Sequence, residues 1–324
     1  MRKVHVRWLR VSALRLFLVP AALLCLMPLH AHGAEADGSD PLRPWQWLEG
    51  QRDQVSRNVT GLGVYLDDWL AGEVAGDEPN ETFLRVRFDQ LQGTYSDYNS
   101  KLKFGGRLDL PRTSERWKLI FESDVEDLNS LNENRLENTA SDFPIGGFRY
   151  EHSSGNGWDF SHDIGLRARV PLDPFYRFRT HYGRDLNSRW SMGFEQKYWY
   201  FNSRGFGYDT TVSFSQELAP DRFLRIASQV HYRNEDNVLE AGQSVTLHRT
   251  LGPLATLSYE AGVLGANKPN TRINDYYVQA LFRKAVYEDW LIVEMAPQLL
   301  MARQENWRPE PRFFLNLEVL FFDF

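Results

Sequence analysis

From Thr82 to the end of the chain, apolar and polar residues alternate with a period of two. Leu84, Val86 and Phe88 alternate with Arg85, Arg87 and Asp89. Trp158, Phe160, Ile164, Leu166, Ala168 and Val170 alternate with Asp159, Ser161, Asp163, Arg167 and Arg169. Tyr176 to Tyr182, Phe206 to Phe214 and Leu224 to Tyr232 repeat the pattern. Successive side chains of a strand point to opposite faces, so each segment reads as a strand with one greasy and one wet side. A soluble sandwich alternates in the same way, in strands of about five or six residues. These run nearer ten, roughly the length a tilted strand needs to cross a bilayer. Aromatic residues gather toward strand ends, as at Tyr198-Trp199-Tyr200-Phe201, Tyr287 and Trp290, in the manner of interfacial girdles.

Turn residues count the strands. Short connections are expected at Pro111–Glu115, Ser153–Gly157, Asp185–Ser188, Ala219–Asp221, Leu251–Pro253 and Tyr287–Asp289. Alternating with them are Ser96–Ser100, the long Glu126–Phe143 segment, Pro171–Pro174, Asn202–Gly205, Asn234–Asn237, Asn267–Asn274 and Glu305–Pro311. These join fourteen antiparallel strands, with twelve or sixteen as alternatives. The second set is longer and is expected outside the cell, the first in the periplasm.

The N-terminus reads as an address. Arg2, Lys3, Arg7, Arg10 and Arg15 precede an apolar run from Leu16 to Met27, and Ala34-Glu35-Ala36 fits an A-x-A cleavage site. Residues 1–36 are therefore expected to be a secretory signal peptide. The run is too short and Pro-broken for a good membrane anchor, and Leu24 before Cys25 argues against a lipoprotein signal. Residues 37–80 form a separate segment. Trp45, Leu48, Val55, Val59, Leu62, Leu66, Trp69 and Leu70 recur at mostly helical steps, which predicts an amphipathic helix over 45–70. It would pack, plug the barrel or dock a periplasmic partner. Residues 81–324 form the third region.

Composition excludes other classes. A lone cysteine rules out a disulfide scaffold. Mean hydropathy of −0.48 rules out a bundle of membrane helices. With 37 Lys+Arg against 43 Asp+Glu, no nucleic-acid partner is expected.

The last strand runs Phe313-Phe314-Leu315-Asn316-Leu317-Glu318-Val319-Leu320-Phe321-Phe322-Asp323-Phe324. It resembles the closing strand of Gram-negative outer-membrane β-barrel proteins, which finish on a terminal Phe after alternating apolar residues. The resemblance implies a closed transmembrane β-barrel, outer-membrane lipid around it, and recognition of Phe324, Phe322 and Leu320 by the barrel-assembly machinery. One departure stands out: Leu320, Phe322 and Phe324 share the frame of Glu318 and Asn316, so either a bulge switches frames or the facing differs locally. Closure has its own physical basis. In lipid every backbone N–H and C=O must be paired within the protein, and a sheet achieves this only without an edge.

The wet face would line a lumen. It carries Arg167, Arg169, Arg177, Arg179 and Arg225, with Asp163, Glu195 and Asp209 among its acids. The first four arginines sit on strands joined by a short turn and are expected close together. They would form either a cross-strand charge ladder or a selectivity strip favouring anions. His152 and Ser154 have the His-x-Ser spacing of outer-membrane lipid hydrolases, which they resemble, but Leu166 stands where an orienting Asn or Glu is wanted. The acids of Glu126–Phe143 lack the spacing of a calcium loop. No metal centre or cofactor is expected, and His162, His181, His231 and His248 are scattered. The functional expectations are a passive or gated porin-like channel, an outer-membrane lipid-modifying hydrolase, or a structural protein that binds a partner through 45–70.

Overall fold

The structure, a computed structural model, describes residues 52–58, 60–61, 82–94, 98–110, 116–123 and 144–322. The expected signal peptide, much of the 45–70 helix, most of Glu126–Phe143 and Phe324 lie outside these.

Fourteen strands form one closed antiparallel sheet. They are β1 (Phe83–Gly93), β2 (Asn99–Asp109), β3 (Trp117–Glu122), β4 (Ile145–Ser154), β5 (Trp158–Arg167), β6 (Asp173–Asp185) and β7 (Trp190–Phe201). There follow β8 (Gly205–Ala219), β9 (Arg222–Arg233), β10 (Val238–Gly252), β11 (Ala255–Ala266), β12 (Arg272–Tyr287), β13 (Leu291–Ala302) and β14 (Pro309–Phe322). Each pairs with its neighbours in sequence, and β1 closes on β14. Each connection overlaps the turn residues expected for it, although β5 stops early, at Arg167, and β6, β12 and β14 begin within their expected turns, at Asp173, Arg272 and Pro309. An even strand count brings both ends of the sheet to one rim, here called the termini rim; the other is the loop rim.

The two faces follow from the alternation. Outward stand Leu102, Phe104, Ile164, Leu166, Tyr198, Val245 and Val278, all well exposed on the outer wall. Inward stand Asp89, Lys103, Asp163, Arg177, Asp209 and Glu318, all buried. Charged groups are buried because they stack against one another across strands, and apolar groups are exposed because lipid is their solvent. The usual inside-outside rule for a soluble core is inverted.

Part of the inner wall is apolar. Ile145, Phe175, Trp199 and Phe201 cluster near the loop rim. Two of its rings pack directly over glycines. A Cβ on Gly207 would meet Trp199 at 2.3 Å, and one on Gly165 would meet Phe175 at 2.8 Å. Beside this cluster Arg167 and Asp173, both almost fully buried, approach to 3.7 Å. Asp173 also accepts hydrogen bonds from the backbone N–H (2.8 Å) and hydroxyl (2.5 Å) of Ser203.

At the termini rim the closing strand carries no bulge, so it is the facing that differs locally. Its register with β1 is unbroken from Phe83↔Phe322 to Gly93↔Arg312. Phe322 and Leu320 therefore stay in the inward frame of Glu318 and Asn316. Their surroundings explain why apolar residues face inward there. Residues 52–58 and 60–61 are helical. Arg52 donates a hydrogen bond to the Phe322 carbonyl (3.1 Å). Its guanidinium lies 5.0 Å from the Phe322 ring centre and 5.8 Å from that of Trp290. Aromatic faces here meet a cation and a helical segment rather than open water.

Candidate lumen site

Register determines which charges meet. Antiparallel pairing sets Asp163 of β5 opposite Arg177 of β6 and opposite Arg149 of β4, and sets Arg167 opposite Asp173. These three arginines therefore each face an acid, whereas Arg179 stands opposite Ser161 and Lys197 and reaches Asp163 diagonally. Asp163, with no exposed surface, is the shared anion. Its carboxylate accepts from Arg149 Nε (2.7 Å), Arg177 Nε (3.0 Å) and Arg179 Nη1 (2.8 Å). Arg177 also reaches Glu122 of β3 with both terminal nitrogens at 2.9 Å. The result is one charge-assisted network over four strands.

The expected grouping of four arginines is corrected in part. Arg177 and Arg179 are together, but their companion is Arg149. Arg167 is bound up with Asp173 near the loop rim. Arg169 leaves the wall altogether, in the connection between β5 and β6, where its N–H bonds the Arg167 carbonyl (2.9 Å). The alternation runs on to Val170, but Pro171 follows and the strand ends at Arg167.

Around this network lies a chamber of about 270 Å³ in the lumen. Its lining includes Arg85, Arg87, Lys103 and Arg107 from β1 and β2, with Arg149, Arg177, Arg179 and Lys197 from β4, β6 and β7. Glu122 is the only acid among its described lining residues. The counter-charges sit back in the wall. Asp89 holds Arg87 (2.7 Å) and Lys103 (3.3 Å), Asp109 holds Arg107 (3.0 Å), and Asp209 holds Lys197 (3.4 Å). Eight cations thus line or border a space whose lining holds Glu122 and whose neighbouring wall holds Asp89, Asp109, Asp163 and Asp209, with Glu151 at 3.9 Å from Arg149. Arg85 is exposed and has no ion-pair partner among the described residues. A fixed positive excess in a low-dielectric enclosure attracts anions.

The remaining expected residues are spread along the lumen. Asp209 also meets the fully buried His231 at 2.5 Å, and that ring stacks on Trp199 at 5.3 Å. Glu195 and His181 face each other at 3.6 Å, both about half exposed. Arg225 lines a second space toward the termini rim, about 480 Å³, with His181, Asp185 and Glu195. Arg149, Lys103, Lys197 and Glu122 were absent from the expected selectivity set. A strict reading of the β4 and β7 alternation, Phe148-Arg149-Tyr150 and Gln196-Lys197-Tyr198, holds the signal for two of them.

His152 and Ser154 both face outward. His152 pairs in register with Phe160 and stacks on it at 5.0 Å, while Ser154 stands opposite Trp158. No hydrogen bond joins the two among the described residues. A different Ser–His contact exists on the inner wall: Ser258 Oγ lies 2.8 Å from His248 Nδ1. Among the described residues no carboxylate bonds His248, and Glu260 is engaged by Thr246 and Tyr277. Without an orienting acid the contact is a cross-strand hydrogen bond rather than an activated nucleophile. No cluster of three or more His, Cys, Asp or Glu suited to a metal occurs among the described residues.

A closed, even-stranded antiparallel barrel with an apolar outer wall and a charged lumen defines a transmembrane β-barrel protein of the bacterial outer membrane. No protein-family model matches the chain, and no curated protein matches it. Solved structures that align with it include the KdgM porin, at 8% identity, covering 72% of this chain and 98% of that one, with a TM-score of 0.37. The NanC porin aligns at 8% identity over 74% and 100%, with a TM-score of 0.39. OmpT of Vibrio cholerae aligns at 8% identity over 76% and 100%, with a TM-score of 0.45. These are similarities of barrel architecture alone, without correspondence of residues.

Proposed function

We propose that this barrel is a porin-like channel that favours small anionic solutes. The observation that carries the proposal is the basic chamber: Arg85, Arg107, Arg179 and their neighbours converge on one lumen space while the acids that balance them lie in the wall behind. An anion entering exchanges part of its hydration for guanidinium and ammonium donors that are already ordered, so little reorganisation is needed. The donors are distributed along the wall rather than closed into a cage, which suits passage better than retention. In this reading the loop rim faces outward from the cell and the termini rim, where Arg52 meets Phe322 and Trp290, faces the periplasm.

The test is reversal potential across a salt gradient in planar bilayers. Wild type is expected to be anion-selective. Arg85→Gln removes an exposed cation that anchors no ion pair among the described residues, and should move the reversal potential toward zero while the barrel stays folded. Absence of any conductance in the purified, folded protein would refute the channel.

A further inference from the structure

Among the described residues, one ladder breaks in mid-strand without a change of register. Pro297 stands near the middle of β13, a strand with a neighbour on both sides. Proline has no N–H to give a ladder and is normally kept out of such strands. Toward β14 the pairing runs unbroken through Pro297↔Phe313. Toward β12 it stops at Gln279↔Gln298 and resumes at Phe282↔Met295. Ala280 and Leu281 therefore stand opposite Pro297 and Ala296 without bridging them. The break is bounded on the inner wall. Toward the loop rim Gln298 Nε2 donates to Gln279 Oε1 at 3.0 Å, and toward the termini rim Arg283 pairs with Glu294.

The wall is apolar on both faces of the break. Inside, Leu91, Phe314, Ala296 and Leu281 form one cross-strand row over β1, β14, β13 and β12. That row interrupts a lumen otherwise rich in charge. Outside, Tyr259, Ala261, Val278, Ala280, Pro297 and Pro311 border a concavity of about 680 Å³. This volume is in the range of sites that hold small ligands, about 300–1,000 Å³. A missing rung, an apolar inner row and an apolar outer hollow thus coincide at one place in the wall.

We propose that β12 and β13 part at Pro297, and that the opening passes the alkyl chain of a single-chain amphiphile with an acidic head between lumen and bilayer. An alkyl chain finds apolar contact on both faces and asks no hydrogen bond of the strands it separates. Parting the strands costs less here than elsewhere in the sheet, because the proline already withholds a donor from the rung. A polar solute gains nothing from this route, since hydrocarbon lies beyond the wall. The head stays on the lumen side. Leu91 shares the inward face of β1 with Arg87 of the basic chamber, about 13 Å away at roughly 3.3 Å per residue. A chain lying on the apolar row therefore brings its carboxylate to those cations. For the head group the inference rests on the anion-favouring reading above; the side opening does not.

The test uses the full chain in lipid vesicles, with dodecanoate carrying a terminal diazirine as the probe. After photolysis, peptide mass spectrometry should find label on Phe314 or Leu91 of the inner row. Ala280→Cys with Pro297→Cys, in a Cys25→Ser background so that no other thiol is present, sets two thiols opposite each other across the break. Oxidising this pair should abolish the inner label and reduction should restore it, with label on the outer wall retained. A staple between Val245→Cys and Ala261→Cys, on an unbroken ladder, should leave the inner label in place. Pro297→Val returns a donor to the rung and should lower the inner label without any crosslink. Folding is checked by heat-modifiable gel mobility, and chloride conductance is recorded for each variant. The expected label pattern in a barrel without conductance would support the side opening and count against the channel alone. Inner label that survives both the oxidised staple and Pro297→Val, or label confined to the outer wall in wild type, would overturn the proposal.

Discussion

Asp163 shows how one residue organises the inner wall. It is fully buried and holds three guanidiniums, so its loss would leave like charges facing each other in a poorly solvated place. Breaking a buried ion pair from one side costs about 3–5 kcal/mol. Asp163→Ala should therefore lower stability by about that amount in urea titrations of the detergent-folded barrel. Arg85→Gln, which breaks no ion pair among the described residues, should not. The inward frame of Asp163, Arg177 and Arg179 was legible from alternation alone. Arg149 is harder to place from sequence because Gly146 interrupts the apolar half of the pattern just before it. Arg169 was assigned to the wall because alternation has no means of marking where a strand stops; the turn at Pro171 does that.

Among the elements, β14 and the helical residues near Arg52 belong together. The sequence places aromatic residues in the inward frame at the end of β14, which looks wrong for a water-filled pore. The structure supplies the reason: Phe322 and Trp290 receive the Arg52 guanidinium, and Ser56 one turn on is buried as well. If this contact narrows the exit, Arg52→Ala should raise single-channel conductance or open probability without changing the heat-modifiable mobility of the barrel. Unchanged recordings would mean that the contact only staples the seam. Helical periodicity could suggest a helix near residue 52, but not its partner, because the rim it meets lies about 270 residues away in the chain.

At the scale of the whole molecule, lipid and lumen impose opposite requirements on adjacent residues. Leu315→Arg places a charge on the outer wall at mid-bilayer depth and should cost about 2–4 kcal/mol of folding stability in lipid vesicles. An arginine exchanged for glutamine on the exposed inner wall should cost far less. Strand count, connection sites and the identity of the two faces were all written in the linear pattern. Period-two alternation is a local property, and the bilayer thickness sets how long it must persist. Which charges would meet was decided only by closure and register. A shift of one residue between β5 and β6 would take Arg177 away from Asp163 and turn it to the other face. The basic chamber is likewise a property of the closed cylinder, since it gathers residues from β1, β2, β4, β6 and β7 that no local spacing relates.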